Sequence, residues 1–280
     1  MKLLIYNNVN FHYEIIVNVI EKYGEILKIT KNSNDQLYVH CLDNISFINY
    51  IKQKYPKVIF AKITDYDYFI NCTIYKPDEI TINDSKHFYI SHKVFNPINQ
   101  ISNVYHLMPK NNNNYLKCDI LPFNDVKIET RIPIYVIQGT ISTQRRDFSL
   151  LTAILDKTYK RDFKIKILGR GNLGAEFDKY KDKLIVRSNL DFINYHKEFA
   201  DVYAILPLVS KNKNRLYYKG KLTSSINYGL AYNLKFVLDN ELNNIYKINN
   251  SCEYKEGNMD SFIKQFKRSL RMFYRNRANV

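Results

Sequence analysis

Four side chains able to hold an anion stand close together at Lys221, Thr223, Ser224 and Ser225. They lie within Tyr217-Tyr-Lys-Gly-Lys-Leu-Thr-Ser-Ser-Ile-Asn-Tyr-Gly-Leu-Ala-Tyr-Asn233. A helix is predicted over 223–232, and Leu234-Lys-Phe-Val-Leu-Asp239 reads as a buried strand after it. The first turn of a helix carries unpaired N–H groups and the positive end of the helix dipole. Hydroxyls and an ammonium at that point suit a phosphate. The same hydroxyls also suit a plain capping role for Thr223 or Ser224.

A second loop of this kind is Gly139-Thr-Ile-Ser-Thr-Gln-Arg-Arg-Asp147, after a strand predicted at Ile134–Gln138. Gly139 permits close backbone approach, Thr140 and Ser142 can donate hydrogen bonds, and Arg145 and Arg146 offer planar forks to phosphate oxygens. As solvated charges, both arginines would sit unfavourably near the start of the helix predicted over 146–159. Gly169-Arg-Gly-Asn-Leu-Gly174 has the glycine spacing of a dinucleotide-binding turn. It follows the second strand of its region, however, and no acidic residue ends a strand about 20 residues further on. Gly169, Arg170 and Gly171 therefore read as a tight turn or as a loop beside a nucleotide. Arg187, Ser188 and Asn189 follow another short strand, where backbone groups could meet a base edge. Equally, Asn189 or Asp191 could cap the next helix.

His12 and His92 stand out among the histidines. His12 follows the first strand in Asn7-Asn-Val-Asn-Phe-His-Tyr-Glu14, and His92 ends the strand in Phe88-Tyr-Ile-Ser-His-Lys-Val94. An imidazole titrating near neutrality can take a proton from a hydroxyl, although a lone histidine is more often structural. No spacing of His, Cys, Asp and Glu suggests a metal site, and neither a nucleophile elbow nor a P-loop is present.

The elements that must position these groups alternate. In the second half, strands at Ile134–Gln138, 163–168, 184–186, 202–206 and 236–238 interleave with helices at 146–159, 173–180, 192–199 and 223–232. Apolar runs without polar alternation suit strands buried on both faces, and the rhythm predicts a doubly wound parallel sheet. The first half repeats it more loosely. Strands are predicted at 3–6, 37–41, 58–61, Tyr68–Ile74, 88–91 and 104–107, with helices at 13–23, ending at Gly24, and Ile45–Lys54. Residues 110–115 form a polar loop, and 123–133 a linker. The expected domains are 1–128 and 129–280.

Composition sets bounds. The 280 residues are 45% hydrophobic and 14% aromatic, enough for real cores. Forty-two basic against 27 acidic residues give +15, attractive to nucleic acid, anionic membranes or phosphorylated ligands. A chain crowded with Lys, Asn, Ile and Tyr, and lacking Trp, also bears the bias of an A/T-rich genome. The basic residues fall in many loops and the tyrosines are spread through both halves, so nucleic acid is not the expected partner. The last segment, 262–277, is amphipathic. Phe262, Phe266, Leu270 and Phe273 share one face and basic residues cover the rest, so it either closes the fold or meets an anionic membrane. As a closing helix over about 260–278 it is expected to pack back on the first domain. Scattered cysteines and the lack of a signal-like start or long apolar run predict a soluble cytoplasmic protein.

Taken in order, several of these segments resemble the donor-binding domain of GT-B glycosyltransferases of the broad group-1 type. The likeness rests on Gly139 with Arg145-Arg146, on Phe163-Lys-Ile-Lys-Ile-Leu-Gly-Arg-Gly171, and on Asp191-Phe-Ile-Asn-Tyr-His-Lys-Glu-Phe-Ala-Asp-Val-Tyr-Ala-Ile-Leu-Pro207. It continues through 221–229 and 237–239. It covers roughly 134–248; the first half is similar to the acceptor domain only in its alternation and its 88–94 strand. The resemblance implies two Rossmann-like doubly wound α/β domains facing across a cleft. It implies transfer of a sugar from a nucleotide-sugar donor to a glycan or glycoprotein hydroxyl, with neither cofactor nor metal.

By the same resemblance, Lys221, Ser224 and Ser225 hold the donor diphosphate, with Gly139, Thr140, Arg145 and Arg146 opposite. Gly169, Arg170, Gly171, Arg187, Ser188 and Asn189 lie near the nucleotide, and Asp239 and Glu241 near sugar or ribose. His12 or His92 would activate the acceptor hydroxyl. Many retaining members carry paired glutamates flanking the start of the phosphate helix. This chain has Ser224 at the second position and nothing acidic in 211–219, which leaves the stereochemistry open. A sugar-nucleotide epimerase on the same fold and a basic nucleic-acid-binding protein are the alternatives.

Overall fold

The computed structural model describes residues 1–92, 103–107, 115–117 and 130–278. The chain divides into two compact units. One comprises Met1–Leu121 with Asp191–Ile193 and Gly220–Leu222; the other comprises Pro122–Leu190, Asn194–Lys219 and Thr223–Val280. The expected boundary at 128/129, most of the 110–115 loop and most of the 123–133 linker lie outside the described residues.

The first unit is built on a six-stranded sheet ordered β3-β2-β1-β4-β5-β6, every pairing parallel. Its strands are β1 (Lys2–Asn7), β2 (Gln36–Cys41), β3 (Val58–Phe60), β4 (Tyr68–Ile74), β5 (His87–Ser91) and β6 (Val104–His106). Leu3, Ile5, Val39, Ile70, Cys72 and Ile90 are buried in it, as expected of strands covered on both faces. Helix α2 (Ile45–Lys54) begins where Asn44 Oδ1 accepts from the Phe47 N–H at 3.0 Å.

Helix α1 (Tyr13–Leu27) corrects one expectation, because it passes through Gly24 rather than ending there. Glycine costs about 1 kcal/mol inside a helix. Burial of Ile26 and Leu27, two and three residues further on, outweighs that. The glycine has a local use as well. A Cβ there would stand 3.1 Å from the Ile29 carbonyl, where the chain folds back under the helix end.

The second unit repeats the plan with a sheet ordered β12-β11-β10-β7-β8-β9, again parallel throughout. Its strands are β7 (Ile134–Gln138), β8 (Lys164–Gly169), β9 (Leu184–Ser188), β10 (Ala204–Ile205), β11 (Lys235–Asp239) and β12 (Ser251–Tyr254). Its helices are α3 (Phe148–Thr158), α4 (Phe192–Lys197, whose Phe192 and Ile193 fall in the first unit), α5 (Leu216–Lys219), α6 (Ser224–Ala231), α7 (Asn240–Tyr246) and α8 (Met259–Ala278). The core joins Tyr135, Leu151, Ile154, Phe163, Ile165 and Val237 to Phe262 and Phe266 of α8. Within this unit α8 packs on β12, β11 and α3.

The segment expected as a helix over 173–180 is a 3-10 turn at Ala175–Tyr180. Its two buried residues, Phe177 and Tyr180, are three apart, and a three-residue repeat puts both on the core side. No helix among the described residues is long and apolar enough to cross a membrane.

Both sheets share one topology. Each starts in the middle, runs outward on one side, then returns to the other side of its first strand. Parallel α/β sheets bind ligands beyond the carboxyl ends of their strands, where the order reverses. Those points lie between β1 and β4 in the first unit and between β7 and β10 in the second.

Candidate functional site

In the first unit the switch point holds an imidazole pair. His12 lies between β1 and α1, in the left-handed region at φ 64° and ψ 28°. That conformation is uncommon outside glycine and is held here by surrounding contacts. Its Nδ1 is 3.2 Å from Glu14 Oε1, and its Nε2 is 2.9 Å from the hydroxyl of Tyr75, which immediately follows β4. A carboxylate on Nδ1 fixes the proton there and leaves Nε2 to accept from an O–H. His92, immediately after β5, packs its ring on His12 with centroids 4.1 Å apart and lies 5.3 Å from the Tyr75 ring. The two histidines picked out from sequence are therefore brought together.

They differ in accessibility. The His12 side chain is 21% exposed, whereas His92 is buried. Burial, and secondarily the neighbouring His12, hold His92 well below the usual imidazole range, so it is neutral. Its Nε2 finds no hydrogen-bond partner among the described residues.

In the second unit the switch point is a buried polar knot. Gln138 ends β7. Its Nε2 donates to Tyr195 Oη at 2.7 Å, and its Oε1 accepts from Ser224 Oγ and Ser225 Oγ, each at 3.2 Å. Arg146 enters the same knot from the loop before α3. Its Nη1 donates to the Pro207 carbonyl at 2.9 Å, and its Nη2 donates to the Gln138 carbonyl and, at 3.2 Å, to Ser225 Oγ. The expectation of a free phosphate fork at Arg146 is thus corrected: both terminal nitrogens are taken up by protein acceptors. Arg146 is 4% exposed, burial lowers its pKa, and no carboxylate pairs with it among the described residues. Arg145 and Thr140, by contrast, are exposed.

The glycines of this region serve close packing. Gly139 (φ 107°) passes under Arg146, and a Cβ on it would meet Nη2 at 2.7 Å. A Cβ on Gly169 would meet the Gly139 carbonyl oxygen at 1.8 Å, and one on Gly171 (φ 107°) the Ile141 carbonyl oxygen at 2.6 Å. The Ile141 N–H donates to the Arg170 carbonyl at 2.7 Å, sealing the two loops together. Gly169 and Gly171 are required by backbone crossing, with the Arg170 side chain exposed.

Helix α6 starts in this knot. Thr223 is its N-cap but makes no capping bond. The side chain is 1% exposed, and Oγ1 has no partner among the described residues. Ser225 is fully buried and Ser224 partly so. Lys221 is half-buried in the 220–222 segment, which belongs to the first unit.

Asp239 and Glu241 are placed elsewhere. Asp239 is inaccessible: it caps α7 through the Leu242 N–H at 2.7 Å and accepts from Tyr218 Oη at 2.8 Å. Both oxygens being engaged, it is not free to bind sugar or ribose, which corrects that expectation. Burial pushes its pKa up to about 6. Glu241 pairs with Lys211 at 2.6 Å and lines a cavity of about 360 Å³ with Arg215, Tyr218, Lys219 and Ile245. Arg187 is exposed and pairs with Glu198 at 3.3 Å, beside an exposed Asn189 in the left-handed region at φ 55° and a partly buried Ser188.

Sequence reasoning missed Gln138, Glu14 and Tyr75. A glutamine closing an otherwise apolar strand was a usable signal for the first. Glu14 sits two residues from His12, and only the left-handed turn brings them together. Tyr75 is joined to His12 by strand order alone.

The sequence matches no protein-family profile and no curated protein. The structure is similar to solved ones. Anabaena Alr3699/HepE, in complex with UDP-glucose, matches with TM-score 0.55 and 8% identity, over 96% of this chain and 89% of that one. The UDP-GlcNAc 2-epimerase of Neisseria meningitidis, bound to UDP-GlcNAc, matches at 0.54 and 9%, over 96% and 91%. AviGT4, a glycosyltransferase involved in avilamycin A biosynthesis, matches at 0.51 and 9%, over 96% and 93%. The protein has a GT-B-like fold of two α/β domains, each on a parallel six-stranded sheet.

Proposed function

We propose that the protein is a glycosyltransferase that moves a sugar from a nucleotide-sugar donor to an acceptor hydroxyl. The observation carrying this reading is the unpaired guanidinium of Arg146, buried at the switch point beside the first turn of α6. Removing a charge from water is costly unless an opposite charge answers it. The described residues supply none, and a diphosphate at the helix start would. The free Thr223 hydroxyl at that N-cap is a further unmet hydrogen-bonding group. Similar folds hold UDP-glucose and UDP-GlcNAc in their crystal structures, which supports a nucleotide sugar as the anion.

The first unit supplies the proton acceptor. Glu14 orients His12 so that Nε2 accepts from a hydroxyl, the position Tyr75 Oη takes at 2.9 Å. In a direct displacement the acceptor O–H gives its proton to Nε2 while its oxygen bonds to the anomeric carbon. The bond from that carbon to the diphosphate breaks, and the nucleoside diphosphate leaves with the electron pair. Helix dipole and buried cation stabilise that charge without a metal.

Thr223→Val tests the donor half. It removes a buried hydroxyl that has no partner among the described residues, so the free protein should melt no lower and gain about 1 kcal/mol. Calorimetric titration should show UDP or GDP binding to the wild type and binding about tenfold weaker in the variant, the loss of one hydrogen bond to a charged group. Binding of oligonucleotides alone, steep in salt, would replace this reading with a nucleic-acid one. Conversion of the donor sugar with no acceptor present would replace transfer with epimerisation.

A further inference from the structure

Helix α8 has two faces, and only one is explained by the fold. Phe262, Phe266, Leu270 and Phe273 are buried against the sheet and α3. On the opposite face Lys264, Arg268, Arg271 and Arg275 follow one another at steps of four, three and four residues, all exposed. Such steps form a single stripe, about 16 Å long at the helical rise. No ion pair among the described residues engages any of the four. A groove of about 640 Å³ runs along the stripe, lined by Arg268, Arg271, Met272 and Arg275.

We infer that this stripe docks the protein on an anionic phospholipid surface. Charge complementarity selects a polyanion, and the arrangement selects among polyanions. One basic side chain per turn in a straight row matches a plane of headgroups, which offers negative charge at any spacing. Single-stranded nucleic acid needs aromatic platforms for its bases. The stripe itself offers none: Phe273 is buried, and Tyr274, although 40% exposed, sits about a quarter-turn round the helix with its hydroxyl donating to the Asp162 carbonyl at 2.7 Å. Long basic side chains can lay their carbon stems beside Met272 and keep their charged heads among the phosphates. The contact is electrostatic, since no large apolar side chain projects from the stripe.

Co-sedimentation of the full chain with vesicles of phosphatidylglycerol and phosphatidylcholine tests this. The expected result is binding to the anionic vesicles at low salt, release at high salt, and none to pure phosphatidylcholine. Replacing Arg268, Arg271 and Arg275 together with Ser should weaken partition about a hundredfold, at about fivefold per charge. A control replacing Lys57, Lys62 and Lys86, exposed on the other unit, should bind as the wild type does. Equal loss in both variants would mean that net charge alone acts, and would overturn the assignment. Absence of wild-type binding to phosphatidylglycerol, or tight binding to an oligonucleotide that the triple variant loses while vesicles stay unbound, would overturn it as well.

Discussion

The two switch points occupy equivalent places in sheets of one strand order, yet the chain fills them with opposite chemistry. Between β1 and β4 stand two imidazoles, a carboxylate and a phenol, one imidazole reaching solvent. Between β7 and β10 stands a buried guanidinium tied to backbone carbonyls, with a glutamine and two serines. The first cluster offers an imidazole nitrogen as a proton acceptor; the second instead fixes positive charge. On the proposed reading, these two places answer the two needs of group transfer to a hydroxyl, one to receive a proton and one to receive an anion.

The sharpest way to break that division is His12→Ala. Transfer should fall by about 10²–10⁴, the usual worth of a general base. UDP or GDP affinity, measured by calorimetry, should not change. An unchanged turnover would leave the first switch point without a catalytic part. Glu14→Gln should give a smaller loss with a shifted pH profile, because the amide still bonds Nδ1–H but no longer supports its charge.

Two buried cations of the second unit sharpen the comparison further. Lys166 on β8 is as buried as Arg146, but Glu198 at 2.9 Å and Asp201 at 2.6 Å compensate it. Lys166→Met takes the cation from Asp201 and leaves Glu198 with Arg187 alone, and should cost about 1–3 kcal/mol in denaturant unfolding. It should leave ligand response intact. In the wild type and in Lys166→Met, nucleoside diphosphate at a hundred times its dissociation constant should add about 2.7 kcal/mol. Arg146→Met should lose most of that ligand-dependent gain. Equal responses in both variants would remove Arg146 from the anion site.

The strand–helix alternation was legible because buried parallel strands leave apolar runs that need no partner to be recognised, as at 134–138. The glycines at 139, 169 and 171 were legible as close approaches, but what approaches them was not. A Gly-x-Gly spacing reports that a backbone must pass, and here the passing backbone is the protein's own. Arg146 was singled out for its charge, while its burial depends on Pro207 and Ser225, remote in sequence. Asp239 was misread because a carboxylate after a strand looks the same in sequence whether it faces a ligand or caps the next helix. The histidine pair was legible one residue at a time and became a pair only through the order β1-β4-β5.

The smallest expected effects separate the units by pH. His92 is held below the ordinary imidazole range by burial, so below about pH 6.5 the unfolded chain binds the proton more readily than the folded one. Stability contributed by this site is therefore lost as pH falls from there. Asp239 has the opposite sign. Its pKa rises to about 6 on folding against about 3.9 unfolded, so the unfolded state releases its proton first. Stability is lost as pH climbs through that window, by about 2–3 kcal/mol once above pH 6. Asp239→Asn keeps a capping oxygen for the Leu242 N–H, and its amide N–H can donate to the Tyr218 oxygen while that hydroxyl donates to the Val209 carbonyl. It should therefore be more stable than the wild type at pH 7.5 and no more stable at pH 4. His92→Gln should flatten the acid side of the profile instead. Melting temperatures of the three proteins across pH 4–8 would show the two differences diverging in opposite directions. Parallel profiles would mean that the neutral imidazole and the raised carboxyl are not the groups that set each unit's response to acid.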